Sequence, residues 1–135
     1  MPAGAKGRNS RSAEAFARHY VDLINYAMHS GDTIVLARSS TPRCDVCTGL
    51  VKDIRATYDG GGRYEEGSWN VRSARAQGSV SARRAFVTLA VRIDAGKEFR
   101  STGSEPKQTK SSVGNIDVIL GRRSGKWVVQ SLAAT

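Results

Sequence analysis

Two cysteines three positions apart, in Thr41-Pro42-Arg43-Cys44-Asp45-Val46-Cys47, carry the most reactive chemistry in this sequence. At this spacing Cys44 and Cys47 can close a local disulfide, act as a reactive dithiol or stand as two free thiols. They cannot complete a four-ligand structural zinc site without His19 or His29, and no metal is expected. A bridge across so short a loop removes little chain entropy and is no long-range staple. At the head of a helix, orphan amides and the dipole would stabilise a Cys44 thiolate, the arrangement that redox enzymes use. Yet the pair is not embedded in a strand-helix-strand-helix pattern, and no cis-proline strand is recognisable opposite it. The remaining polar motifs are weaker. Gly60-Gly61-Gly62-Arg63 lacks the Lys-Ser/Thr of a phosphate loop and reads as a flexible helix stop. Glu65 and Glu66 are adjacent, so an extended chain points them apart and they form no acid–base dyad. No cofactor is expected.

The elements that position these residues follow from hydrophobic period. Phe16, Tyr20, Leu23, Ile24, Ala27 and Met28 recur at three- and four-residue steps and predict a helix over 13–29, with Ser12 as its cap and Gly31 as its stop. Asp32 or Thr33 caps a short helix over 34–38, which Pro42 prevents from continuing. Cys47, Leu50, Val51, Ile54 and Tyr58 share one face of a third helix over 44–58. After the glycine triplet the period changes to two. Strands are predicted from Trp69 to Ala74, over 85–94, over 113–120 and over 126–132. Residues 95–111 are polar, with Gly96, Gly103 and Pro106, and are expected as a long mobile loop. The reading is α+β: three N-terminal helices packed on a curved antiparallel sheet, one domain over 12–134. Residues 1–11 carry no large apolar side chain and are expected to form a disordered tail or linker.

The chain has 135 residues, 39% hydrophobic and 24% charged, which excludes a disordered class and suits a single globular domain. No run approaches the ~18 apolar residues of a membrane span. The 21 Lys+Arg against 12 Asp+Glu give a net charge of +9. Lys97, Arg100, Lys107 and Lys110 fall in the polar loop, and Arg122, Arg123 and Lys126 surround the last turn. These seven are the candidate contacts for an anionic membrane surface or envelope polymer. They form no basic stripe interleaved with aromatics, so nucleic acid is not the expected partner.

The helix–short helix–helix order, the meander and the closing Gly-Lys-Trp-Val-Val resemble the cone-shaped nuclear-transport-factor-2-like fold. Tyr20-Val21-Asp22-Leu23-Ile24-Asn25, Ser30-Gly31-Asp32-Thr33, Cys44-Asp45-Val46-Cys47 and the glycine triplet with Trp69 resemble an actinobacterial lipoprotein family of unknown function. That resemblance implies a lipid-anchored protein on the outer side of the cytoplasmic membrane, with the segment from Pro2 to Arg11 as the linker behind a removed anchor. It also implies an oxidising surrounding, in which an oxidised Cys44–Cys47 pair is the expectation. The cone implies a pocket between the first helix and the concave sheet, with His19, Tyr20, Tyr64, Trp69 and Asp117 as candidate lining. The functional expectation is a non-catalytic domain that binds a small hydrophobic ligand or an envelope protein, at the cone mouth or on the exposed sheet face. An isomerase- or dehydratase-like pocket enzyme and an accessory subunit of a secretion or transport assembly are the alternatives. A monomer and a dimer are both compatible with this reading.

Overall fold

The first helix is capped by a reciprocal pair, which moves its start ahead of the apolar stripe. In the computed structural model, which describes residues 2–81 and 83–135, α1 spans Ser10–Ser30 and Asn9 is its N-cap. The Asn9 side chain accepts the Ser12 backbone N–H at 2.9 Å, and the Ser12 hydroxyl accepts the Asn9 N–H at 2.9 Å. Ser12, expected as the cap itself, is the third helical residue. The segment ahead of it also differs from an unpacked tail. Ala3–Ala5 forms a 3-10 turn, and Ala5 is buried in the core. Small side chains suffice where a turn lies flat on the core, so the lack of large apolar residues concealed this packing. α2 (Ile34–Arg38) and α3 (Asp45–Asp59) lie within a residue of their predicted bounds.

Seven strands follow: β1 (Gly61–Glu66), β2 (Trp69–Gln77), β3 (Ala85–Ile93), β4 (Gly96–Ser101), β5 (Lys107–Thr109), β6 (Ser112–Arg123) and β7 (Lys126–Ala134). They form two antiparallel sheets, β2-β3-β6-β7 and β1-β4-β5. The expected four-stranded meander is the first. The second is a correction: the segment over 95–111 is not one loop but carries β4 and β5, and two glycines of the triplet open β1. Their side chains are mostly polar, and both faces of β5 are exposed, so no alternation marked them as strands.

The two sheets share chain at one corner. β1 runs into β2 through Gly67-Ser68, and β3 runs into β4 through Asp94-Ala95, so one long hairpin is bent across both sheets. Gly67 has φ 72°, and a Cβ on Gly96 would lie 2.6 Å from the Gly67 nitrogen. Only glycine lets the two backbones meet there. Register shifts between Val71 and Ser73 and between Ile119 and Leu120 bend the larger sheet further.

α1 lies on the concave face of that sheet. Phe16, Tyr20, Ile24 and Ala27 meet Val87, Leu89 and Val91 of β3, Val118 and Leu120 of β6, and Trp127 and Val129 of β7 in one buried cluster. Both edges of this sheet are met by neighbouring chain at particular residues. Along β2, Glu14 accepts the Ala76 N–H at 2.7 Å, and the Asn25 amide brackets Trp69, accepting its N–H and donating to its carbonyl at 2.8 Å each. Along β7, Thr41 donates to the Val129 carbonyl and Val129 to the Ser39 carbonyl, each at 2.9 Å. These contacts satisfy edge groups at Trp69, Ala76 and Val129 that would otherwise be open to pairing with another chain.

Candidate ligand cavity and the disulfide

The bent hairpin and the two longer helices line an open cavity of about 500 Å³ between α3 and the small sheet. An adjoining cleft of about 260 Å³ shares Met28, Tyr64, Trp69 and Glu98 with it. One wall is apolar. Met28 comes from α1, Leu50 and Ile54 from α3, and Trp69 from the start of β2, where the Asn25 bracket fixes it. The facing wall is polar, with Glu98 and Arg100 of β4 and Lys107 of β5, while Asp53 stands at the rim on α3. Arg100 Nε lies 3.5 Å from Glu98 Oε1.

Tyr64 stands between these walls. Its hydroxyl shares a 3.2 Å hydrogen bond with the Thr57 hydroxyl, and its ring is 6.2 Å from that of Tyr58. Burial raises the Tyr64 phenol above its ordinary range, and the nearby Glu98 and Asp53 carboxylates push the same way against the Thr57 hydrogen bond. The phenol therefore stays protonated at neutral pH and serves as a neutral hydrogen-bonding group. Tyr58 anchors the neighbourhood from behind by donating to the Met28 carbonyl at 2.5 Å.

Of the five pocket residues expected from the cone, Tyr64 and Trp69 share this cavity. The other three do not join them. Tyr20 is only 1% exposed, and burial pushes its phenol up to about 12, so it belongs to the core. His19 lies in a separate cleft beside Phe16 and Trp127, with its imidazole held below the ordinary range by burial. Asp117 lies on the outer face of the large sheet, where its carboxylate accepts the Thr88 hydroxyl at 2.9 Å. Strand alternation explains it: Val118 and Leu120 face the core, so Asp117 faces away. The seven candidate anion-contact residues divide likewise. Lys97, Arg100, Lys107 and Lys110 line the cavity and its cleft, whereas Arg122, Arg123 and Lys126 surround the β6–β7 turn. Arg122 is occupied structurally, 4.6 Å over the Trp127 ring and bonded to the Gly7 carbonyl at 3.0 Å. Sequence reasoning missed Asn25, Thr57 and Asp53. The one signal for Asn25 was a polar side chain beside the apolar stripe of α1.

Cys44 and Cys47 form a disulfide across the first turn of α3, both buried. Cys44 is the N-cap, and its sulfur accepts the Cys47 N–H at 3.2 Å. In this state there is no thiolate to act as a nucleophile. Among the described residues no group of three or more His, Cys, Asp or Glu side chains could hold a metal ion, and no helix is long and apolar enough to cross a membrane.

The sequence matches a family of unknown function, DUF6318, over residues 1–133. The chain belongs to DUF6318. No curated protein matches this DUF6318 chain. Solved structures resemble it in fold. The intermembrane space region of the chloroplast protein ARC6 superposes with a TM-score of 0.70 at 10% identity, covering 93% of this chain and 95% of that one. A nuclear-transport-factor-2-like superfamily protein from Salmonella enterica serovar Typhimurium superposes with a TM-score of 0.57 at 7% identity, covering 92% and 90%. This DUF6318 chain thus has a nuclear-transport-factor-2-like α+β fold. At such identities the likeness carries the fold and no activity.

Proposed function

We propose that this DUF6318 chain is a non-catalytic binding domain of the cell envelope whose cavity holds a small, largely hydrophobic ligand with a polar end. The supporting observation is the two-sided cavity. Met28, Leu50, Ile54 and Trp69 offer apolar contact, Tyr64 between the walls offers a hydrogen bond, and Arg100 and Lys107 beside Glu98 offer charge at the opposite wall. A volume of about 500 Å³ lies within the range of small-molecule sites, which are mostly apolar with a few placed polar groups. Tyr64, set between the walls with its phenol raised by burial, offers the ligand a neutral hydrogen-bonding group.

The test is a titration with 1-anilinonaphthalene-8-sulfonate, whose aromatic body and sulfonate match the two walls. Wild type is expected to bind saturably. Ala56→Phe, which fills the rim from an exposed helix position, should weaken binding about tenfold while leaving the melting temperature nearly unchanged. Unchanged affinity in Ala56→Phe would refute the cavity as the site.

The envelope location rests on the buried Cys44–Cys47 bridge, since such bonds persist outside the reducing cytosol. The lipid anchor belongs to this same reading. Alkylation and intact-mass measurement on protein from its native compartment should find both cysteines oxidised, and two freely labelled thiols would reject that location. The double variant Cys44→Ser/Cys47→Ser should lose roughly 2 kcal/mol, because a short loop is all the bridge closes. Serine is itself a good N-cap, so helix α3 should survive.

A further inference from the structure

Helix α3 is a partition between two cavities of opposite character. Leu50, Asp53, Ile54 and Thr57 face the cavity described above, while Thr48, Val51, Lys52 and Arg55 face a second groove of about 500 Å³. At 100° per residue the two sets fall on opposite sides of the helix. The far wall of the groove is Arg38 at the end of α2, the Ser40-Thr41-Pro42 segment and Arg123 of the β6–β7 turn. A cleft of about 320 Å³ continues it past the same Arg38 and Arg123 to Lys126.

The charge here is of one sign. Arg38, Lys52, Arg55 and Arg123 line the groove, and neither it nor its continuation has an acidic residue in its walls. The three ion pairs among the described residues, Arg63–Glu65, Arg92–Asp94 and Arg100–Glu98, all lie elsewhere. Two of the guanidinium groups are held in place by neutral acceptors. Arg55 Nε donates to the buried Thr33 hydroxyl at 3.0 Å, and Arg123 Nη2 donates to the Arg38 carbonyl at 2.5 Å. Fixing Arg55 through Nε leaves its two Nη groups for bidentate recognition and reduces the entropy lost on binding. The Thr41 hydroxyl in the same wall is buried with no hydrogen-bond partner among the described residues. Four uncompensated cations around one concavity repel one another, and a polyvalent oxyanion relieves that repulsion.

We infer that the groove between α2, α3 and the β6–β7 turn is a binding site for a phosphate-bearing ligand, with Arg55, Arg38, Arg123 and Lys52 as its contacts. It is separate from the apolar cavity and does not depend on what that cavity binds.

The experiment titrates the full 15N-labelled chain with inorganic pyrophosphate at low ionic strength. Saturable shifts are expected at the amides of Thr41, Thr48, Lys52 and Arg55. Arg55→Gln should raise the Kd about tenfold. Arg72→Gln removes the same charge from an exposed position on β2, outside both cavities, and should change the Kd by less than about threefold. Where Arg55→Gln fails to fold for loss of its Thr33 contact, Lys52→Gln gives the same comparison. Cosedimentation with phosphatidylglycerol vesicles, against phosphatidylcholine alone, separates the sources of phosphate. Vesicle binding lost in the groove variant assigns a lipid headgroup, and pyrophosphate binding without vesicle binding assigns a soluble phosphate. Equal weakening by Arg72→Gln and Arg55→Gln, or the absence of saturable shifts, would overturn the site.

Discussion

Gly62→Ala should open the small sheet. A Cβ at this position would lie 1.8 Å from the Phe99 carbonyl oxygen and within 2.8 Å of two further backbone carbons of β4. Backbone cannot swing aside as a side chain can, so β1 and β4 must separate. Overpacking of this kind costs about 3 kcal/mol. The loss reaches the cavity too, because β4 carries Glu98 and Arg100 and pairs with β5, which carries Lys107. A thermal melt should therefore show clear destabilisation, and the anilinonaphthalene titration should lose its saturable phase. Gly114→Ala is the control. Its Cβ meets nothing within 4 Å, and it should be neutral or gain a few tenths of a kcal/mol. Equal stability of the two variants would show that β1 and β4 do not approach closely at Gly62.

Gly62 also marks where the sequence stopped being legible. The helices and the large sheet were readable because each buries one face only. Phe16, Tyr20 and Ile24 on α1, and Val87, Leu89 and Val91 on β3, write their periods directly into the chain. β1, β4 and β5 bury little, and their side chains are mostly Lys, Glu, Arg and Thr, so they left no period to read. Their signal was instead the absence of side chains at Gly62, Gly67 and Gly96, which mean close approach in three dimensions but flexibility in one. The candidate site divided along the same line. Tyr64 and Trp69 flank the β1–β2 corner and were brought together by it. Asp117 could have been excluded by strand parity alone. Tyr20 and His19 are neighbours on α1 with different fates, one under the sheet and one beside α2. The basic groove was invisible because Arg38, Lys52, Arg55 and Arg123 come from three separate elements.

Ser12→Ala should be among the costliest single-atom deletions in the chain. The Ser12 hydroxyl donates to the Asn9 carbonyl at 2.8 Å and accepts from two groups, the Asn9 N–H at 2.9 Å and the buried Trp127 indole at 3.2 Å. One hydroxyl has one donor and two acceptor sites, so every valence is used. Removing it breaks half of the capping box and leaves the indole, in a residue 2% exposed, without its partner. Together these effects amount to about 3 kcal/mol, which lowers the melting temperature by roughly 10 °C. Because the hydroxyl ties the start of α1 to β7, the two elements should loosen together. Hydrogen exchange should accelerate at both the first turn of α1 and the Trp127 strand, with α3 unaffected. In the double variant Ser12→Ala/Trp127→Phe the orphaned indole is gone, so the second change should cost less than it does in wild type. Strict additivity of the two substitutions would show that Ser12 acts on the helix alone, and that the indole finds its partner elsewhere.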